Sequence, residues 1–130
     1  MKFQPDSLDG VNAISRLDAG RLWVHQTPFE SSVLIPWRGE VQDWPAASPA
    51  ALSADHFERL LAFEPELVIF GSGQVLTFVS PQLYRCLIER RIGIETMDTA
   101  AACRTFNVLA NEGRKVVAAL LLEPAAGRAR

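Results

Sequence analysis

The second half of the chain alternates short apolar runs with longer amphipathic segments. The apolar runs are LVIF at 67–70, IETM at 94–97 and VVAALLL at 116–122. Between them, apolar residues recur at helical spacing after Ser80 and again after Asp98. Strands that are covered on both faces are continuously apolar, and the helices that connect them supply the cover. This order predicts an α/β domain built in layers.

The first half of the chain carries the pattern of β structure. Residues 11–17 and 21–26 flank a short loop that contains Gly20, a residue free to adopt the left-handed conformation of a tight turn. The pattern predicts a β-hairpin, followed by a third strand that ends at Pro36 in the segment SSVLIPW. From Ser53 the apolar spacing becomes helical, which predicts a helix over 53–63.

Length and composition bound the class of protein. The 130 residues, 48% apolar and 22% charged, predict one globular domain over 1–130. Its ordered core is expected over about 7–123, with a flexible tail at 124–130. A net charge of −2 supplies no basic field, so the chain is not expected to bind nucleic acid.

Membrane, secretory and metal signals are weak in this sequence. No apolar stretch has the length of a membrane span, and the N-terminal MKFQPDSLDG lacks the apolar core of a secretory signal. A cytoplasmic protein without a membrane span is therefore predicted. Cys86 and Cys103 are not paired at ligand spacing, and His25 and His56 have no neighbouring ligands. Neither a metal nor another cofactor is predicted.

Four short motifs in a fixed order resemble those of a known family. The family consists of small bacterial and archaeal domains of unknown function that are similar to mitochondrial respiratory complex I assembly factor 3. The likeness covers nearly the whole chain. The motifs are Gly71-Ser72-Gly73, Met97-Asp98-Thr99, Arg104-Thr105-Phe106-Asn107 and Glu112-Gly113-Arg114.

The resemblance implies a compact three-layer α/β domain with a mixed central sheet, flanking helices and an added N-terminal β-hairpin layer. It also implies that the last strand runs antiparallel to its neighbours. For function, it implies a protein partner and a role in assembling a respiratory or other membrane complex. Phe106 stands where many relatives carry Tyr, which puts a shared catalytic role for that position in doubt.

The sequence Gly71-Ser72-Gly73 follows a buried strand, as a dinucleotide-binding loop would. Leu76 stands where the third glycine of G-x-G-x-x-G belongs, and no helix begins before Ser80. The favoured interpretation is a tight turn that uses the positive φ accessible to glycine. Ser72 also lacks the G-x-S-x-G context of a nucleophile elbow.

Asp98 and Thr99 lie between a predicted strand and a predicted helix. A carboxylate at this point accepts hydrogen bonds from the free N–H groups of the first helical turn, so we predict that Asp98 is an N-cap. The alternative is a small-ligand or enzyme site at the strand ends, because open α/β sheets bind ligands there. Its expected residues are Gly71, Ser72, Gly73, Asp98 and Thr99.

The helix after Asp98 is predicted to carry an exposed polar stripe. On a helical wheel, an arc of about 160° holds the apolar face, and a second arc of about 60° on the opposite side holds polar residues. The first arc contains Ala101, Ala102, Thr105, Phe106, Val108 and Leu109, and the second contains Arg104, Asn107 and Asn111. Guanidinium and amide groups suit hydrogen bonding to a partner, so this stripe is the predicted docking surface.

No nucleophile–base pair or close carboxylate pair is apparent, and no catalytic residue is predicted. The leading hypothesis is a non-enzymatic domain that binds protein through Arg104, Asn107 and Asn111. The second is a small-ligand protein or enzyme that uses the crevice near Ser72, Asp98 and Thr99.

Overall fold

The strands of the domain form two sheets. The computed structural model describes residues 1–3 and 9–123. Its strands are β1 (Ile14–Asp18), β2 (Arg21–Val24), β3 (Thr27–Phe29), β4 (Val33–Pro36), β5 (Gln42–Asp43), β6 (Leu67–Gly71), β7 (Gly93–Met97) and β8 (Val116–Leu120). Its helices are α1 (Ala54–Glu58), α2 (Arg85–Glu89) and α3 (Thr99–Asn111), with 3-10 turns at Pro49–Ala51, Arg59–Phe63 and Pro81–Tyr84.

The larger sheet has the order β5-β4-β8-β6-β7 and mixes strand directions. β8 is antiparallel to β4 and parallel to β6. The expectation that β8 opposes its neighbours is therefore confirmed for β4 and wrong for β6. A helical crossover carries the chain back to the end of the sheet at which the previous strand began, so the next strand runs in the same direction. Helix α3 is such a crossover between β7 and β8, which are both parallel to β6.

The two crossovers place their helices on opposite faces of this sheet. From β6 the chain moves outward to β7, and from β7 it moves back across β6 to β8. Because both crossovers are expected to be right-handed, opposite directions of travel put α2 and α3 on opposite sides. The core follows this division, with α3 and the small sheet packed on one face and α1 and α2 on the other.

β6 and β8 are central strands whose side chains are all buried. Successive residues alternate between the two cores, so that Leu67 and Ile69 face α3 while Val68 and Phe70 face α1 and α2. A continuous apolar run is what a strand buried on both faces requires. The prediction of buried strands at these positions is confirmed.

The smaller sheet has the order β1-β2-β3 and is antiparallel throughout. The predicted hairpin at Gly20, which has φ +72°, is confirmed. The predicted second strand is too long, because the chain turns again at His25, where φ is +54°. This second turn produces β3, which the sequence pattern did not predict. Pro28 lies in β3 at the edge of the sheet, where a residue without an N–H is tolerated.

The helices of the other face are shorter than predicted. The expected helix over 53–63 is one α-helical segment, α1, that continues as a 3-10 turn and ends at Glu64, which has φ +50°. An aromatic cluster packs beneath it, with Trp44, Phe57 and Phe70 in edge-to-face contact at centroid distances of 5.7–6.0 Å. Ile88 of α2 is 54% exposed, so this helix does not bury all of its large apolar side chains.

The architecture is therefore α/β, with a mixed five-stranded sheet, a three-stranded antiparallel sheet and helices on both faces of the larger sheet. This agrees with the predicted fold class. The predicted boundaries at 7 and at 124–130 lie outside the described residues. Within 9–123, no helix has the length and apolar character needed to cross a bilayer.

Candidate functional site

The ends of β6 and β7 meet the start of α3, as the strand-end hypothesis requires. The N–H of Ser72 donates to the Met97 carbonyl at 2.9 Å, which extends the β6–β7 ladder past the strands. The N–H of Thr99 then donates to the Gly73 carbonyl at 2.8 Å. The motifs at 71–73 and 97–99 therefore form one continuous structure.

Thr99 is the centre of this junction. Its buried hydroxyl accepts a hydrogen bond from the N–H of Gly73 and donates one to the Leu121 carbonyl, each at 2.9 Å. One side chain thus links the loop after β6, the start of α3 and the end of β8. Both roles of the hydroxyl are occupied by backbone groups, so Thr99 holds the junction together.

The two glycines of the loop serve different physical needs. At Gly71, a Cβ would lie 3.0 Å from the Cα of Thr99 and 2.9 Å from a methyl group of Leu120, so the close approach excludes a side chain. At Gly73, φ is +115°, and a Cβ would also collide with the Glu123 carboxylate. The tight-turn interpretation is confirmed at Gly73.

Ser72 stabilises the loop that follows it. Its buried hydroxyl donates to the Val75 carbonyl at 3.0 Å and accepts from the Thr77 N–H at 2.8 Å. The side chain therefore points into its own loop. Ser72 does not line the cleft described below, and neither does Gly71.

Asp98 is the N-cap of α3, as predicted. Its Oδ1 accepts a hydrogen bond from the Ala101 N–H at 2.9 Å. Such a cap contributes about 1 kcal/mol, and the helix dipole favours its negative charge.

A cleft of about 300 Å³ opens beside this junction. Gly73, Asp98 and Thr99 of the predicted pocket line it, together with apolar side chains from β1 and from the segment after β8. Its full lining is Met1, Leu17, Asp18, Ala19, Gly73, Gln74, Asp98, Thr99, Ala100, Leu121, Leu122 and Glu123.

The charged side chains of the cleft are carboxylates, and the α-ammonium of Met1, which also lines the cleft, is paired with one of them. Glu123 Oε1 accepts from the Gln74 N–H at 3.2 Å, and Asp98 caps α3. Asp18 is bonded to the α-ammonium of Met1 at 3.0 Å and to Arg16 at 2.7 Å. These contacts, the Met1 hydrogen bond first, hold the pKa of the Asp18 carboxyl below its ordinary value. Within the described residues, the cleft is therefore lined by apolar side chains and by three carboxylates, those of Asp18, Asp98 and Glu123.

The predicted polar stripe of α3 is corrected by the position of Asn107. This residue is 8% exposed, and its amide pairs with the backbone of Ile14 in β1. The Ile14 N–H donates to Asn107 Oδ1, and Asn107 Nδ2 donates to the Ile14 carbonyl, both at 2.8 Å. Val108, expected on the buried face, is 57% exposed. The exposed side of α3 is therefore rotated by about one residue from the prediction.

The helical wheel was wrong at Asn107 because the side-chain amide makes the two hydrogen bonds that the backbone of a neighbouring strand would otherwise make to Ile14, so the residue is buried although it is polar. The ladder between β1 and β2 is irregular between Ile14 and Arg16, and the outer edge of β1 meets α3 at this point. Asn107 supplies one acceptor and one donor there, as a further strand would. Polarity alone cannot distinguish this buried use of an amide from an exposed one.

Arg104 remains on the exposed side of α3. Its Nη1 lies 3.7 Å from the Met1 sulfur, and no carboxylate of the described residues lies within ion-pair distance. Asn111 is half-buried, and its Oδ1 is buried without a hydrogen-bond partner among those residues. Of the three residues of the predicted stripe, only Arg104 is exposed; Asn111 is half-buried and Asn107 is buried.

An apolar surface that sequence reasoning missed lies in the loop between β6 and α2. In residues 74–80, Val75 is 72% exposed, Leu76 is 48% exposed and Phe78 is 73% exposed. The signal available in the sequence is an absence of charge, since no Asp, Glu, Lys or Arg occurs over 67–84.

The cysteines do not form a reactive or ligand-binding group. Burial raises the pKa of the Cys103 thiol to about 12, and it also raises the pKa of Cys86. Across residues 1–3 and 9–123, no cluster of three or more His, Cys, Asp or Glu side chains has a metal-binding arrangement.

Known proteins share this sequence and this fold. The Mus musculus protein named NADH dehydrogenase [ubiquinone] 1 alpha subcomplex assembly factor 3 is 35% identical to this chain over 98 residues, which are 74% of this chain and 52% of that protein. The chain thus spans about half the length of the curated relatives it matches.

Two solved structures from Bordetella superpose closely on the domain. The crystal structure of a Bordetella parapertussis protein has a TM-score of 0.83 and 32% identity, and the match covers 90% of this chain and 100% of that chain. The solution structure of a Bordetella pertussis protein, described as a Mth938-like domain, has a TM-score of 0.83 and 26% identity, and the match covers 100% of this chain and 98% of that chain. The family described as "Protein of unknown function (DUF498/DUF598)" matches residues 14–121, and the chain belongs to that family.

Proposed function

We propose that this domain binds protein and assists the assembly of a membrane-bound multisubunit complex, of which NADH dehydrogenase is the first candidate. The observation that carries the proposal is the 35% identity to the assembly factor over 98 residues. Those residues are about half of the relative. The shared domain is therefore proposed to bind partner subunits, and no function is proposed for the other half of the relative.

The chemistry of the strand-end junction supports a binding role. Ser72 and Thr99 use both the donor and the acceptor capacity of their hydroxyls on backbone groups. A nucleophile needs a neighbouring base and a free path to its substrate, whereas these hydroxyls stabilise a loop and a helix start. In contrast to Ser72 and Thr99, Arg104 and Val108 on α3 and the apolar side chains of Val75, Leu76 and Phe78 face outward.

Arg104 is the first residue to test. Arg104→Ala is expected to weaken binding of the domain to detergent-solubilised NADH dehydrogenase of its host by about tenfold, because a guanidinium offers several directed hydrogen bonds to a partner. The free energy of unfolding should change by no more than about 0.5 kcal/mol, since the side chain is exposed. Affinity is measured by biolayer interferometry on immobilised domain, and stability by urea denaturation.

Arg59→Ala is the matched control, because Arg59 is also an exposed arginine but lies next to α1 on the other face of the larger sheet. The two variants should differ by about tenfold in affinity. Wild-type protein that fails to bind any NADH dehydrogenase subunit would contradict the proposed function. Equal affinity of the two variants would contradict only the role of Arg104.

A second candidate function is small-ligand binding in the cleft beside Asp98. Its volume of about 300 Å³ and its apolar lining favour it, and its carboxylates would suit a ligand that combines an apolar body with a cation. A metabolite bound there should raise the melting temperature. Asp98→Asn should abolish that rise while retaining the cap, whereas Asp55→Asn, near the start of α1, should not. A screen of cationic metabolites by differential scanning fluorimetry that finds no such rise argues against this candidate.

A further inference from the structure

The loop over 74–80 exposes more large apolar surface than any other short segment described. Six large apolar side chains are exposed in residues 1–3 and 9–123, and Val75, Leu76 and Phe78 are three of them. They occupy three of the four positions over 75–78 in one loop. Single exposed apolar residues are ordinary, but a contiguous group of them marks an interaction surface.

The same segment carries no charge. Residues 67–84 contain no Asp, Glu, Lys or Arg, although 22% of the chain is charged. β6 accounts for five of these positions because it is buried, yet the loop that follows is exposed and has no structural need to be neutral. The fully buried centres of protein interfaces show this composition, with charged residues depleted and aromatic residues enriched.

The loop is held in one shape before any partner arrives. The buried Ser72 hydroxyl bonds to both the Val75 carbonyl and the Thr77 N–H. At the base of the loop, the Gly73 N–H bonds to Thr99 and the Gln74 N–H to Glu123. A loop that is already ordered loses little conformational entropy on binding, which makes its exposed side chains effective contacts.

The size and charge of this surface decide what covers it. Three side chains offer on the order of 300 Å² of apolar surface, whereas a stable pairing of two flat surfaces buries about 800 Å² on each partner. Two copies of this chain would therefore pair too weakly through the loop alone. The surface that receives the loop has to be concave, so that it encloses the three side chains. A bilayer would need a basic patch as a second signal, but the nearest arginine in sequence, Arg85, shares its surface groove with Glu58 and Glu89.

We infer that residues 74–80 form an anchor loop that inserts Phe78, flanked by Val75 and Leu76, into an uncharged apolar groove of a partner protein. The inference rests on the proposed function and adds a second contact to that of Arg104. It assigns the apolar part of recognition to the anchor loop and the polar part to α3.

Phe78→Ser tests the anchor loop. It should weaken binding to detergent-solubilised NADH dehydrogenase of the host at least tenfold, because an aromatic side chain in a desolvated pocket dominates such contacts. Ile88→Ser is the matched control, since Ile88 is 54% exposed and lies on α2, outside both the anchor loop and α3. It should change the affinity less than twofold. Far-ultraviolet circular dichroism checks that both variants keep the fold.

The outcomes separate this inference from the proposed function. If wild type binds and Phe78→Ser binds equally well, the anchor loop is wrong and the proposed function stands. If wild type does not bind, the proposed function fails and the inference fails with it. Sedimentation velocity and pelleting with vesicles of phosphatidylcholine and phosphatidylglycerol complete the test. A dimer or vesicle binding that Phe78→Ser abolishes would overturn the inference by identifying a second copy or a bilayer as the occupant.

Discussion

Asn107→Ala is expected to lower the free energy of unfolding by about 2–4 kcal/mol, although the residue is polar and lies on a helix. The substitution removes both hydrogen bonds to the Ile14 backbone and leaves a buried N–H and a buried carbonyl without partners. Each such group costs about 1–3 kcal/mol when water cannot replace the lost bond. Urea denaturation monitored by tryptophan fluorescence measures the change.

Asn111→Ala is the control on the same helix. The Asn111 Oδ1 is buried without a partner among the described residues, so its removal should be neutral or slightly stabilising. A loss below about 1 kcal/mol for Asn107→Ala would show that water reaches the Ile14 backbone and that the amide is not a structural link. The predicted destabilisation also means that binding measured with Asn107→Ala would mix docking with folding, whereas Arg104→Ala avoids this problem.

Thr99→Val is the second substitution with a large expected effect, again about 2–4 kcal/mol. Valine has nearly the shape of threonine, so packing is preserved while the hydroxyl is lost. The Gly73 N–H and the Leu121 carbonyl, both bonded to Thr99 Oγ1, would then be buried and unpaired. Urea denaturation measures the loss, and hydrogen exchange at Gly73 should accelerate because its N–H has lost its acceptor.

Two further variants isolate the role of this hydroxyl. Thr99→Ser keeps the group and should lose only about 1 kcal/mol for the missing methyl. Thr77→Val removes a hydroxyl whose one described bond is exposed, at 3.3 Å to the Val75 carbonyl, and should change stability by less than about 0.5 kcal/mol. If Thr99→Val were as stable as Thr77→Val, the junction between β6, α3 and β8 would not depend on this side chain.

Thr99 and Asn107 together fix the orientation of α3, the helix that carries Arg104. Thr99 connects the start of α3 to the loop after β6, and Asn107 connects the middle of α3 to β1. Arg104 lies between them on the same helix. The orientation of α3 is thus set on both sides of Arg104, which favours a rigid docking surface over one that forms only on binding.

Features of the fold that depend on local chemistry were predictable. β6 and β8 are recognisable in the sequence as uncharged apolar runs, because both faces of each strand are buried. Asp98 precedes the first residue of α3, and its carboxylate reaches an N–H only three residues away. An interaction between residues this close in the chain can be predicted from the sequence alone.

Features that depend on distant partners were not predictable. Asn107 and Ile14 are 93 residues apart, and their pairing requires the edge of β1 to be brought against α3. The absence of charge in 74–80 was visible, but its exposure depends on which elements leave it uncovered. The side chain of Ser72 points into its own loop, and Thr99 lines the cleft but uses its hydroxyl on backbone groups that lie in distant segments of the chain.

The amino-acid sequence by itself determined the layered α/β architecture, the hairpin at Gly20 and the cap at Asp98, because periodicity, turn chemistry and capping act over a few residues. Only the tertiary structure decided the direction of β8 relative to β6, the burial of Asn107 and the exposure of Phe78. Each of these depends on which segments become neighbours. That outcome is set by packing across the whole chain, because a polar group is buried only where another element supplies its partner.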